Sequence, residues 1–239
     1  MNRQYFKWHS PALSRDMELL VFGHAGARLL IFPTSKGKFY EWEDRHMMDV
    51  VGDHIAAGAL QVYCVDSVDA ESWYNYGAHP GQRGYRQSQY FWHIVNEVLP
   101  LSNSLNSNPF LMSVGASFGA YHALAIALKF PHLFGRAMGF SGIYDIKRFT
   151  SGYSDDNVYF NNPADFIQNE NDPARLAALR RMDIIIATGR DDRMRSDSEA
   201  LSASLWSKGI GNALRLWDGW SHDWPYWERM LRLYIGGHD

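Results

Sequence analysis

The stretch Met112–Phe130, MSVGASFGAYHALAIALKF, decides how this chain folds. A strand-like run ending at Gly115 passes with nothing between into a helix-like run, AYHALAIALKF, and Ser117 stands at the junction between Gly115 and Gly119. A direct strand-to-helix turn forces its central residue into a strained backbone conformation. Neighbours with side chains would collide there, and glycine removes the Cβ. Such a turn holds the serine hydroxyl at the carboxyl edge of a sheet and aims the unpaired N–H groups of the next helix at the same place. The pattern G-x-S-x-G, in this strand–turn–helix context, is that of a nucleophile elbow.

Working outward, RQYFKWHS alternates polar and apolar and reads as a strand. MELLVFGH and ARLLIFPT are apolar runs separated by His24-Ala25-Gly26, which predicts a hairpin between them. FYEWEDRHMMDVVGDHIAAG has helical spacing, with Phe39, Trp42, His46, Met47, Val50 and Val51 on one side. LQVYCVD reads as a buried strand, and the segment that follows it as a loop. YRQSQYFWHIVNEVLPLS is a helix expected to stop near Pro100. Beyond the elbow, strands FGRAMGFSG, MDIIIATG and NALRLWD alternate with helices at PARLAALRR, SDSEALSASLWSKG and HDWPYWERMLRLYIGG, Pro173 falling at a first helical position. Residues Ile143–Asp172 read as a small irregular insertion. Alternating strands and helices predict an α/β fold, a mostly parallel sheet with antiparallel N-terminal strands and helices on both faces. No repeat, low-complexity tract or linker divides residues 1–239, so a single domain is expected.

With 26 acidic against 23 basic residues, nothing in the charge points to nucleic acid or an anionic membrane as partner. No apolar run is long enough to span a membrane, and the N-terminus has no signal-peptide pattern. The single cysteine, Cys64, leaves no intrachain disulfide to form, which suits a reducing, cytoplasmic location. No histidine pair has metal-ligand spacing and no phosphate loop appears, so neither metal nor cofactor is expected. Oligomeric state is not readable from the sequence.

A serine hydroxyl is a poor nucleophile without a base, and the base needs an orienting carboxylate. In this type of fold the chain order is Ser, acid, His. Only His222 and His238 follow a later strand, and His238 is penultimate. His222, in WDGWSHDWPYW, stands between the last strand and the last helix, where the base belongs. For the acid, MDIIIATG leads into GRDDRM; Asp192 is favoured, three residues past Gly189, with Asp191 the close second.

These pieces resemble a known group. FPTSKG, GASFGA, GFSGIYD, TGRDD and WSHDWPYW, spread from Ile31 to Trp227, are similar to the esterase family of α/β-hydrolases that contains esterase D (S-formylglutathione hydrolase), feruloyl esterases and antigen-85-like acyltransferases. The resemblance implies the α/β-hydrolase fold, with Ser117 as nucleophile, Asp192 as acid and His222 as base. The expected chemistry is cleavage of carboxylic esters or thioesters through an acyl-enzyme. An acyltransferase using the same intermediate and a catalytically silent binding protein are the alternatives.

The developing oxyanion needs two preplaced donors. The N–H of Phe118 is one. The second should come from Pro33-Thr34-Ser35-Lys36-Gly37, where no HGGG occurs; Pro33 has no N–H, and among Thr34, Ser35 and Lys36 the choice is Ser35. Trp73, Trp220 and Trp224 are expected at the substrate, with Tyr40, Trp42 and Tyr74 nearby, although core packing explains several of these aromatics equally well.

Overall fold

The computed structural model describes residues 2–237, so His238 lies outside the described residues. Its centre is an eight-stranded sheet in the order β1-β2-β4-β3-β5-β6-β7-β8. The strands are β1 (Arg3–Ser10), β2 (Arg15–Phe22), β3 (Ala27–Phe32), β4 (Leu60–Val65), β5 (Leu111–Ala116), β6 (Arg136–Phe140), β7 (Asp183–Gly189) and β8 (Ala213–Trp217). β1 and β2 are antiparallel, β2 meets β4 antiparallel, and every pairing from β4 to β8 is parallel.

Side chains alternate across the pleat, so each strand feeds two cores. Leu30 and Phe32 face a layer built with the helices Pro80–His93 and Phe118–Lys129, while Leu29 and Ile31 face Trp42, Met47, Trp227 and Met230 on the other side. Helices thus cover both faces, as a parallel sheet requires. The helix Phe118–Lys129 is buried almost all round, because it lies between the sheet and the 143–172 segment.

Three local expectations are corrected. The N-terminal hairpin joins β1 to β2, not β2 to β3; β4 lies between β2 and β3. β3 is apolar on both faces, and a strand of that kind belongs inside a parallel sheet rather than in an edge hairpin. The continuous helix expected from Phe39 onward is broken into the short helices Glu41–Asp44, Met47–Val50 and Gly52–Ala56, because His46 takes a left-handed conformation, φ 58°, and points to solvent. The helix expected to end near Pro100 starts earlier, at Pro80 capped by His79, and runs through a π-turn, Ile94–Val98, into Leu99–Leu105. The π-turn restarts the hydrogen-bond ladder, which leaves Pro100 in a first turn, where no N–H is needed.

The 143–172 segment is irregular but tightly held. It contains the one-turn helices Lys147–Thr150, Asp156–Tyr159 and Pro163–Phe166, and it buries Tyr144, Ile146, Phe149, Val158 and Ile167 against the main core. No helix among the described residues is long and apolar enough to cross a membrane.

Candidate active site

Ser117 sits at the tip of β5 with φ 55° and ψ −120°, a conformation disfavoured for a residue with a side chain. Its neighbours show why glycine is needed on both sides. A Cβ on Gly115 would stand 2.1 Å from Gly119 O, and one on Gly119 would stand 2.5 Å from the carbonyls of Phe32 and Pro33. The elbow therefore closes on itself and lets the loop after β3 pass directly beneath the helix N-terminus. Ser117 N–H donates to Phe140 O at 2.8 Å, which ties the elbow to β6.

His222 reaches the serine from the loop after β8. Its Nε2 lies 3.2 Å from Ser117 Oγ, and its Nδ1 lies 3.0 Å from Asp192 Oδ2 and 3.2 Å from Oδ1. Asp192 is buried and also accepts from Met194 N–H at 2.9 Å and Thr188 Oγ1 at 3.2 Å. Burial alone would raise its pKa; the hydrogen bonds from His222, Met194 and Thr188, with the nearby imidazole, outweigh it and hold the carboxyl below the usual carboxylate range. An ionised Asp192 accepts, so Nδ1 carries the histidine proton and Nε2 turns a lone pair toward the serine. Asp191 lies on the same turn but is exposed and does not reach the histidine.

The loop carrying His222 is fixed from two sides. Ser141, at the end of β6, donates its hydroxyl to Ser221 O at 2.8 Å and accepts from Trp227 Nε1 at 3.2 Å. Gly189 ends β7 where a Cβ would come within 2.2 Å of Trp220 O, so the acid loop and the histidine loop touch backbone to backbone.

Ser35 and Phe118 line the same cavity as Ser117 and His222, a space of about 430 Å³. The loop 33–37 spends nearly all of its backbone donors elsewhere. Thr34 N–H donates to Glu41 at 2.7 Å, Lys36 N–H to Asp69 at 2.8 Å, and Gly37 N–H to Thr34 O at 2.8 Å. Among the described residues Ser35 N–H and Phe118 N–H have no acceptor. Asp69 is itself wholly buried, and its other oxygen lies 2.7 Å from His122 Nε2 on the helix that follows Ser117. This carboxylate–imidazole pair binds the 33–37 loop to the helix that begins after Ser117, and nothing in the sequence pattern pointed to it.

The tryptophans depart from expectation. Trp73 is fully buried, donating its indole N–H to Tyr121 Oη at 2.9 Å, and does not line the cavity; the neighbouring Tyr74 does. In this loop consecutive side chains diverge, and the larger apolar ring takes the interior. Trp224 packs against Trp42 and Trp227 on the far face of the sheet, under the Arg45 guanidinium, and is absent from the cavity wall. Trp220 is half exposed and stacks on the His222 ring at 5.6 Å, outside the cavity. Tyr40 is exposed and Trp42 buried in the core, as packing would have it. The walls are instead Tyr74, Phe118, Ile143, Phe149 and Met194, with Arg148 and Arg193. Tyr74 donates to Ser35 Oγ at 2.8 Å and packs edge-on against Phe118 and Phe149. Among the described residues no cluster of three or more His, Cys, Asp or Glu is placed to hold a metal ion.

A family model named Esterase and described as "Putative esterase" matches residues 43–233, most of the chain. The chain belongs to this esterase family. The assignment makes it an ester hydrolase, in agreement with the resemblance drawn from its motifs. Among solved structures, a ferulic acid esterase is similar with a TM-score of 0.77 at 18% identity, over 97% of this chain and 95% of that one. The S-formylglutathione hydrolase FrmB of Staphylococcus aureus gives 0.71 at 15% identity over 97% and 94%, and Mycobacterium tuberculosis MPT51 gives 0.70 at 15% over 99% and 97%. At such identities these likenesses speak for the fold, which is that of the α/β-hydrolases. A search of curated proteins by sequence finds no match.

Proposed function

We propose that this esterase is a serine hydrolase of carboxylic esters or thioesters, with Ser117 as nucleophile, His222 as base and Asp192 as orienting acid. The observation that carries the reading is the continuous hydrogen-bonded chain from Ser117 Oγ through His222 to the buried Asp192, 3.2 Å and 3.0 Å long at its two links. His222 Nε2 takes the serine proton as Oγ attacks the acyl carbon. Asp192 holds the ring by Nδ1–H and stabilises the imidazolium that forms. The carbonyl oxygen, now an oxyanion, is held by the free N–H groups of Phe118 and Ser35 at the N-terminus of a helix, whose dipole favours negative charge. Collapse expels the alcohol or thiol, which leaves with the proton from Nε2. Water, deprotonated by the same nitrogen, then attacks the acyl-serine and releases the acid.

The described chain works as one hydrolase unit, in which the 143–172 segment supplies part of the cavity wall through Ile143, Arg148 and Phe149. The substrate is a small molecule, as the cavity of about 430 Å³ suits. Cys64 is buried and its thiol is pushed well up by burial, so it takes no part in the chemistry, and a cytoplasmic setting fits a chain with this one cysteine. The test is Ser117→Ala against short 4-nitrophenyl esters and a fluorophosphonate probe. Loss of turnover and of labelling is expected; retained turnover in the variant would remove Ser117 from the mechanism.

A further inference from the structure

We propose that the cavity is built for an ester or thioester that carries an anionic oxygen group, a carboxylate or phosphate, held by Arg148 and Arg193. The inference rests on the hydrolase reading and adds a substrate class to it.

Eleven residues line the cavity, two of them arginines and none acidic. The chain as a whole is slightly acidic, with a net charge of −3, so cations at this place do not follow from a generally basic surface. The two guanidiniums are presented differently. Arg148 is anchored: its Nη2 donates to both carboxylate oxygens of Asp197 at 2.8 Å, and its Nη1 lies 3.5 Å from Met194 Sδ. Asp197 also accepts from Tyr144 N–H at 3.1 Å and stands outside the cavity wall, so it acts as a tether behind the guanidinium. Both contacts to Asp197 use Nη2, which leaves Nε–H free for another acceptor.

Arg193 has no such partner. Among the described residues no carboxylate, carbonyl or hydroxyl receives its hydrogens. The acid beside it in sequence, Asp192, is buried and committed to His222, Thr188 and Met194. Asp191, on the same turn, lies outside the cavity wall. A third cation adds to the field: Lys36, next to Ser35, holds its ammonium 5.0 Å from the Tyr74 ring and makes no ion pair among the described residues. Both arginines are exposed at the mouth, and the rest of the wall is mixed, Tyr74, Phe118, Ile143, Phe149 and Met194 standing beside Ser35, Ser117, Ser141 and His222. A guanidinium offers paired donors that match a carboxylate or phosphate edge, and two of them facing one cavity with no acid in its wall give the anion a choice of forks. A neutral ester would leave Arg193 with water alone as its partner. An anionic one would satisfy it within reach of Ser117.

The experiment compares each anionic ester with a neutral partner of matched shape. Mono-4-nitrophenyl adipate and its methyl ester place the charge on the acyl side; 3-acetoxybenzoate and 3-acetoxybenzamide place it on the alcohol side. Rates are corrected with the Ser117→Ala variant. In at least one pair the wild-type kcat/KM should favour the anion by about tenfold or more. That ratio should shrink as NaCl is raised. It should fall severalfold in Arg193→Gln and vanish in the Arg148→Gln, Arg193→Gln double variant, while Arg229→Gln, at the distant Tyr226, leaves the ratio as it was. Ratios near or below one in both wild-type pairs overturn the proposal with no variant needed, as does a preference that survives in a folded double variant. A protein that cleaves all four esters without regard to charge keeps the hydrolase reading and loses the substrate class. One that cleaves none, and is not labelled by a fluorophosphonate, loses both.

Discussion

Replacing Asp69 tests how the 33–37 loop, proposed to hold the oxyanion, is fixed in place. Its carboxylate is wholly buried, takes Lys36 N–H at 2.8 Å with one oxygen, and takes His122 Nε2–H at 2.7 Å with the other. Asp69→Ala strands both donors without water, and breaking a buried pair of this kind costs about 3–5 kcal/mol. At about 2–4 °C per kcal/mol for a chain of this size, the melting temperature should fall by roughly 10 °C or more. Asp69→Asn is the sharper perturbation because it keeps the volume. The amide oxygen can still accept from Lys36, and its NH2 can face His122 if the imidazole proton moves to Nδ1. That nitrogen lies 3.3 Å from the Gln87 amide, whose Oε1 is buried without a donor, so an acceptor is at hand after an amide flip. The asparagine variant should therefore fold, with its loop held by a neutral hydrogen bond in place of a charge-assisted one, a loss of about 1 kcal/mol. Complete loss of the Ser35 donor would cost about 3 kcal/mol. Between these limits kcat should fall by roughly fivefold to a hundredfold. KM should move by less than about threefold, because the donor acts on the oxyanion and not on the bound ester. Steady-state kinetics with a 4-nitrophenyl ester, beside thermal melts, read all three quantities. A folded Asp69→Asn protein with unchanged kcat, or one whose whole defect lies in KM, would refute the link between this carboxylate and the oxyanion loop.

Asp192→Asn should lower kcat by about 10⁴-fold, since an amide stabilises the wrong histidine tautomer. The same carboxyl is held below its ordinary value, so its contribution to stability is complete above the unfolded carboxyl pKa of about 3.9 and is lost as pH falls through the lower folded value. Melting temperatures from pH 7 to pH 3 should therefore fall less steeply for the asparagine variant than for wild type. Gly189→Ala sets a Cβ against Trp220 O and should displace His222, cutting kcat at least tenfold with the secondary structure intact by circular dichroism. Ser35→Ala should keep most activity, within about tenfold, because the donor is backbone and only the Tyr74 hydrogen bond is lost. Cys64, buried on β4, should react with a thiol reagent only after denaturant is added.

The parts of the fold and site legible in the sequence share one property: their reasons are local. Gly115 announces the elbow because its steric demand arises within five residues, at Gly119 and Ala120, whereas Gly119 also yields to the remote carbonyls of Phe32 and Pro33. The strand-to-loop position of His222 and Asp192 is legible because such loops lie at one edge of a parallel sheet. What failed depended on neighbours remote in sequence. The apolar runs of β2 and β3 suggest a hairpin, but β4, which separates them in the sheet, lies nearly thirty residues further on. The helix after Phe39 kept its apolar spacing yet breaks at His46, since spacing records which side chains are buried and not whether the backbone between them stays helical.

By itself, then, the sequence determined the class of fold and the strand–turn–helix that carries Ser117, and it led to the proposed acid and base in the loops after two later strands. Those follow from backbone sterics and the apolar period, which act between near neighbours. Tertiary structure alone decided which aromatics wall the cavity, sending Trp73 and Trp224 into packing and Tyr74 and Phe149 to the site. It decided equally that Asp69 accepts from the Lys36 backbone N–H and from His122 and that Arg193 is left without an acidic partner among the described residues. A buried charge or a lone cation is defined by what surrounds it in space, and that environment is assembled from segments the chain brings together only when the sheet has formed.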